Sequence, residues 1–168
     1  MNMKTIYISG PITDLTTGQP RDGWQQDFLD AEAKLRRMGF QVINPVDIAR
    51  EVDEEWRKMW SLQGDMNKWN GPIANAFLKQ GPTRADYIMA CLQRMKMAHS
   101  VDRLHGVYVI GGGHWEVMES HGVQMEMLMA DILGLPIYAE CHEDLLVDST
   151  LVPMDDDRTI KELLNGQR

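Results

Sequence analysis

Short apolar runs alternate along the chain with longer stretches in which apolar residues recur at helical spacing. Positions 4–9, Lys-Thr-Ile-Tyr-Ile-Ser, are β-branched and aromatic and stop at Gly10-Pro11, which predicts a buried strand. Between 23 and 37, Phe28, Ala31, Ala33 and Leu35 recur near helical spacing, and Gly39 stands where a helix-ending glycine belongs. Positions 40–44 then read as a second strand closed by Pro45, followed by an acidic helix over 46 to about 59. A further helix is predicted over 84–99 and a third strand over 105–110, which leaves through Gly111, Gly112 and Gly113. Met125, Leu128, Met129, Ile132 and Leu133 mark a last helix, stopped by Gly134, and 135–138 a fourth strand.

Two stretches resist this reading. Positions 60–83 hold Trp60, Trp69 and Phe77 among two Gly-Pro steps with weak periodicity, and are expected to form an irregular insertion, either a lid or an oligomer contact. The acidic tail, 151–168, is expected to add a short surface helix to a main domain over 1–150.

Strands alternating with helices predict one α/β domain, its four- or five-stranded, mainly parallel sheet covered by helices on both faces. Ligands of such sheets bind beyond the carboxyl ends of the strands where strand order reverses. That nominates 9–13, 44–45 and 111–122, with Ser9, Gly10, Pro11, Ile12, Asn44 and Gly113 as candidate binding residues. Trp115 flanks the last loop and offers a ring for stacking on a base.

A formal net charge of -8 argues against nucleic acid polymers and anionic membranes as partners, so any phosphate must be bound locally. Cys91 and Cys141 show neither metal-ligand nor redox spacing, and no apolar run reaches the length of a membrane span, which together predict a cytoplasmic protein. His99, His105, His114 and His121 do not form a metal-binding helical pair with a third ligand, and neither metal nor cofactor is expected.

Chemistry concentrates in 120–126. Ser120 is placed to open a helix, Gly122 leaves room for a ligand beside the backbone, and Glu126 falls one turn later on the same face, aimed at the ligand side. Each also has a plainer reading: Ser120 as a cap, Glu126 as a solvated edge residue, Tyr7 as strand packing. Met125, Met127 and Met129 read as core or subunit contact.

The order of Ile6-Tyr-Ile-Ser-Gly-Pro-Ile12, then Phe28, Ala31, Leu35, Gly39, Val42 and Asn44-Pro45, then Ser120-x-Gly122-x-x-x-Glu126 before Ala130 and Leu133-Gly134, resembles the nucleoside 2-deoxyribosyltransferase superfamily. In pattern it is most similar to the 2'-deoxynucleoside 5'-monophosphate N-glycosidases and small phage-type relatives. The resemblance implies a Rossmann-like (flavodoxin-like) domain in a homodimer or larger homo-oligomer. It also implies a small-molecule nucleotide substrate, a Glu126 nucleophile forming a covalent deoxyribosyl intermediate, and Tyr7 hydrogen-bonded to it.

Family members acting on free nucleosides carry an aspartate where Ser120 stands, so the serine favours a phosphorylated substrate. The family's acid ahead of the third strand has no direct match. Asp86 is the preferred candidate and Asp102 the other. If neither serves, a non-catalytic nucleotide-binding or sequestering protein becomes the competing reading. A third reading is a glycohydrolase for NAD or ribonucleotides.

Overall fold

The computed structural model describes residues 4–14, 16–17, 19–66, 81–111, 119–139 and 152–153. In chain order these form β1 (Thr5–Ser9), α1 (Trp24–Arg37), β2 (Gln41–Ile43), α2 (Pro45–Met66), α3 (Arg84–Ser100), β3 (Gly106–Val109), α4 (His121–Ile132), β4 (Ile137–Ala139) and β5 (Val152–Pro153). The strands lie in the order β2-β1-β3-β4-β5. The first four run parallel, and β5 pairs antiparallel with β4. This is the α/β, Rossmann-like architecture expected from the sequence.

Strand periodicity decides what each face carries. On one face Tyr7, Val107, Val109 and Ile137 pack against Ile48 of α2, Cys91, Leu92 and Met95 of α3, and Val123, Met127 and Ala130 of α4. On the other, Ile6, Ile8 and Tyr108 pack against Phe28, Ala31 and Leu35 of α1. Both sides of β1 and β3 are thus sealed, which is why these strands read as continuous apolar runs.

The helix ends follow the local chemistry. Gly39 and Gly134, just past α1 and α4, adopt the left-handed backbone with φ of 88° and 65°. Asn44 opens α2: its Oδ1 accepts from the Val46 amide at 3.0 Å, the geometry of an N-cap. Thr83 and Asp86 form a capping box at the start of α3. Tyr87 donates to Asp53 at 2.6 Å, and Arg94 pairs with Glu51. These contacts run in opposite senses along α2 and α3, so the two helices pack antiparallel and hold Cys91 over the sheet.

One expectation is corrected. α2 continues to Met66, through the start of the stretch expected to be irregular. The first Gly-Pro step comes only at Gly71-Pro72, and the lone Gly64 costs a helix about 1 kcal/mol, too little to end it here. The rest of that stretch up to position 80, and the expected tail helix, lie outside the described residues.

Candidate active site

Strand order reverses between β1 and β3, whose connections leave in opposite directions across the sheet. At such a switch point the carboxyl ends of the two strands open a crevice. Tyr7 and Ser9 stand at alternate positions on β1 and share a face. Glu126 reaches that face from α4, whose inner side also buries Val123, Met127 and Ala130.

The carboxylate is held at both oxygens. Tyr7 donates to Oε1 at 2.6 Å and Ser9 donates to Oε2 at 2.6 Å. Glu126 is 7% exposed, and Tyr7 and Ser9 are fully buried. A carboxylate this enclosed lacks hydration, so burial raises its pKa from 4.5 to about 7, against the pull of the Ser9 and then the Tyr7 hydrogen bond toward the charged form.

The phenol of Tyr7 is driven well above its ordinary value, by burial first and then by the charge of Glu126. It is therefore a neutral donor at any ordinary pH. The Cys91 thiol, which shares a hydrogen bond with Tyr7, is pushed up to about 12 by burial and then by Glu126. The site is a glutamate ringed by neutral, protonated groups.

The remaining candidates fall into two groups. Ser120 is the N-cap residue of α4 and is buried, but its side chain makes no capping hydrogen bond. A Cβ on Gly122 would meet Ser120 Oγ at 3.9 Å, so this corner is open among the described residues. Both lie at the start of the helix that carries Glu126. Pro11 and Ile12 are half-buried on the loop leaving β1.

Asn44, Gly10 and Asp86 serve the fold. Asn44 Nδ2 donates to Glu32 at 2.7 Å and to the Phe28 carbonyl at 3.4 Å, pinning the end of β2 to α1. Gly10 is small because a Cβ there would meet Phe28 Cζ at 3.1 Å. Asp86 Oδ2 accepts from the Thr83 amide at 2.7 Å and its hydroxyl at 2.6 Å, and these bonds hold its pKa down. That is the wrong direction for a general acid. None of the hydrogen bonds among the described residues joins Asp86 to Tyr7, Ser9 or Glu126. Asp102, the other candidate, sits just past α3 with a left-handed backbone, φ 54°. Gly113 and Trp115 lie outside the described residues.

Sequence reasoning missed two groups. Cys91 lines the site from α3, at helical positions that also bury Leu92 and Met95, and nothing in a lone cysteine signals such a neighbour. Arg21 lies on the loop between β1 and α1, which doubles back through a Thr13–Pro20 bridge and an Arg21 amide bond to the Ile12 carbonyl of 2.7 Å. Its guanidinium pairs with Asp27, while its buried Nε lacks a hydrogen-bond partner among the described residues.

Among the described residues, no cluster of three metal-ligating side chains occurs, and no helix is long and apolar enough to cross a membrane. Compared with known proteins, the chain matches no family model, no curated protein and no solved structure.

Proposed function

We propose that the chain cleaves the N-glycosidic bond of a deoxynucleoside 5'-monophosphate, by hydrolysis or by transfer to a second base, with Glu126 as nucleophile. The observation that carries this reading is the buried Glu126 carboxylate, anchored at both oxygens by Tyr7 and Ser9 at the β1/β3 switch point. A structural glutamate has no need of such a place. Burying one costs stability, and burial with specific partners in a crevice is what active sites do to carboxyl groups.

The chemistry follows from the charge. Departure of the base leaves oxocarbenium character on the sugar, and an anion close by stabilises it and then captures the anomeric carbon. A bond from the carboxylate to C1' forms as the C1'–N bond breaks, and its electron pair leaves with the base, which takes a proton from water. Water, or a second base, then attacks C1' as the C1'–O bond to Glu126 breaks; its electron pair returns to the carboxylate and the attacking group loses its proton to solvent, finishing hydrolysis or transfer.

In this reading the phosphate binds at the corner formed by Ser120 and the start of α4. The Ser120 hydroxyl, which makes no capping hydrogen bond to α4, supports it, as do the helix-start amides. Arg21, on the loop leaving the adjacent strand, offers its Nε–H on the same edge while its guanidinium stays paired with Asp27. The motif order read from the sequence agrees with this assignment.

One observation favours the competing reading, a nucleotide-binding protein without catalysis: Asp86 is engaged in its capping box, so the expected acid is not presented. Incubation with the four deoxynucleoside monophosphates, followed by chromatography for free base, separates the two. Free base together with a deoxyribosyl adduct on Glu126 in the mass spectrum of quenched protein supports the enzyme. Tight binding of a monophosphate with no base released over many hours supports the binder.

A further inference from the structure

We propose that Ser9 is a positioning residue for Glu126, a role that rests on the reaction proposed above: its hydroxyl fixes the second carboxylate oxygen and keeps the nucleophile charged and correctly turned. The expectation from sequence was that Ser9 binds substrate. Its burial is complete, so a ligand in the crevice has no surface of Ser9 to touch.

The geometry assigns it another task. A buried hydroxyl needs a partner, and the partner of Ser9 is Glu126 Oε2 at 2.6 Å. Held by Tyr7 alone, the carboxylate would turn about its Cγ–Cδ bond, a soft torsion. With Ser9 on the other oxygen the plane is set at two points on one rigid strand. A nucleophile so oriented starts near the attacking geometry, where small misplacements cost large factors in rate.

The same bond favours the charged form. On this face of the sheet Tyr7 and Cys91 pack in one apolar cluster with Val107, Val109, Ile137, Val123 and Met127. Among the described residues the titratable groups coupled to Glu126 are Tyr7 from β1 and Cys91 from α3, with Arg94 of α3 acting on Cys91. Tyr7 and Cys91 both keep their protons at neutral pH, so the two hydroxyl donors, Ser9 and Tyr7, carry the stabilisation of the anion.

The test uses the full chain carrying 13C-labelled glutamate, in Ser9→Ala and Ser9→Cys variants. The Glu126 carboxyl resonance is identified by its loss in Glu126→Gln and titrated without substrate, then compared with the pH profile of base release. Loss of a hydrogen bond to a charged group should raise the Glu126 titration by about one to two units in Ser9→Ala, with the weaker thiol donor in between. The acid limb of kcat should move by the same amount, cutting the rate at pH 7 about tenfold and leaving KM within about twofold.

A Ser9→Ala protein that titrates and turns over like wild type would overturn the proposal, since Ser9 then only fills space. So would equal shifts in the alanine and cysteine variants. A shifted resonance in a protein that releases no base upholds the hold on Glu126 and removes the reaction instead.

Discussion

The Tyr7 hydroxyl lies 2.6 Å from Glu126 Oε1 although 119 positions separate the two residues in the chain. Only the packing of α4 against the sheet face that carries Tyr7 makes that contact. Replacing Tyr7 by Phe keeps the ring in the core and removes one donor, so the charged carboxylate loses support. Glu126 should titrate above its present value of about 7, and base release at pH 7 should fall by about ten- to a hundredfold, with smaller loss at pH 9. A pH profile unchanged from wild type would count against the Tyr7 bond as part of the machinery.

Wild-type activity itself should rise with pH through about 7, because the nucleophile is the deprotonated form. Stability should move the opposite way. A carboxyl with a higher pKa folded than unfolded binds its proton more tightly in the folded state. The fold is therefore most stable below 4.5 as far as this group is concerned, and weakens as pH rises toward 7. The difference between 4.5 and about 7 corresponds to about 3 kcal/mol above pH 7. Glu126→Gln should thus abolish base release and still raise the denaturation midpoint at pH 8, with little gain at pH 4. Urea titrations at the two pH values check the sign.

Asp86 tests whether the cap of α3 also takes part in the reaction. Its carboxylate caps α3, so Asp86→Ala should cost about 0.5 to 2 kcal/mol of stability in urea melts. Thr83→Ala should cost a similar amount, and base release by either folded variant should remain within a few fold of wild type. A loss of a hundredfold or more confined to the Asp86 variant would restore Asp86 as the acid.

These outcomes also mark where sequence reading reaches. Ser9 and Glu126 are legible because a strand end and the helix phase put them near the expected ligand edge, and Tyr7 because the motif order carries the resemblance described above. Asn44 sat at a position of the right kind, yet side-chain bonds to Glu32, Phe28 and Val46 decided its role, and no periodicity encodes those partners. Asp86 lies in a Thr-x-x-Asp capping signature, a local role that competes with any reading of the acid as catalytic. Ser9 stands at a strand end, a place that is usually open to ligand, whereas here it is buried against Glu126 of α4.

The methionines of α4 divide by face. Met127 is buried and Met129 packs against the core, but Met125, Leu128 and Ile132 are 41%, 45% and 69% exposed on the opposite side. A helix apolar on both faces is one that expects cover, and a homo-oligomer would supply it. Ile132→Asp should shift the protein to a smaller species in light scattering without unfolding it. A wild type that is monomeric at micromolar concentration would remove this prediction.

The phosphate assignment makes the sharpest demand on the substrate. Ser120 leaves its hydroxyl out of helix capping, and Arg21, on the loop after β1, holds an Nε donor that lacks a partner among the described residues. A dianion satisfies both kinds of donor and meets the positive end of α4, where the first amides lack helical partners. Charge-assisted hydrogen bonds contribute about 1.5 to 3 kcal/mol each, so a deoxynucleoside should bind about ten- to a hundredfold more weakly than its 5'-monophosphate. Arg21→Ala should narrow that gap by weakening the monophosphate alone. Ser120→Asp should invert the preference, because its carboxylate repels the dianion and accepts a hydrogen bond from a free 5'-hydroxyl. Calorimetry with matched pairs of ligands on the inactive Glu126→Gln background reads binding apart from turnover. Equal affinity of wild-type protein for the two ligands would leave Ser120 as a helix-opening residue and place the phosphate elsewhere.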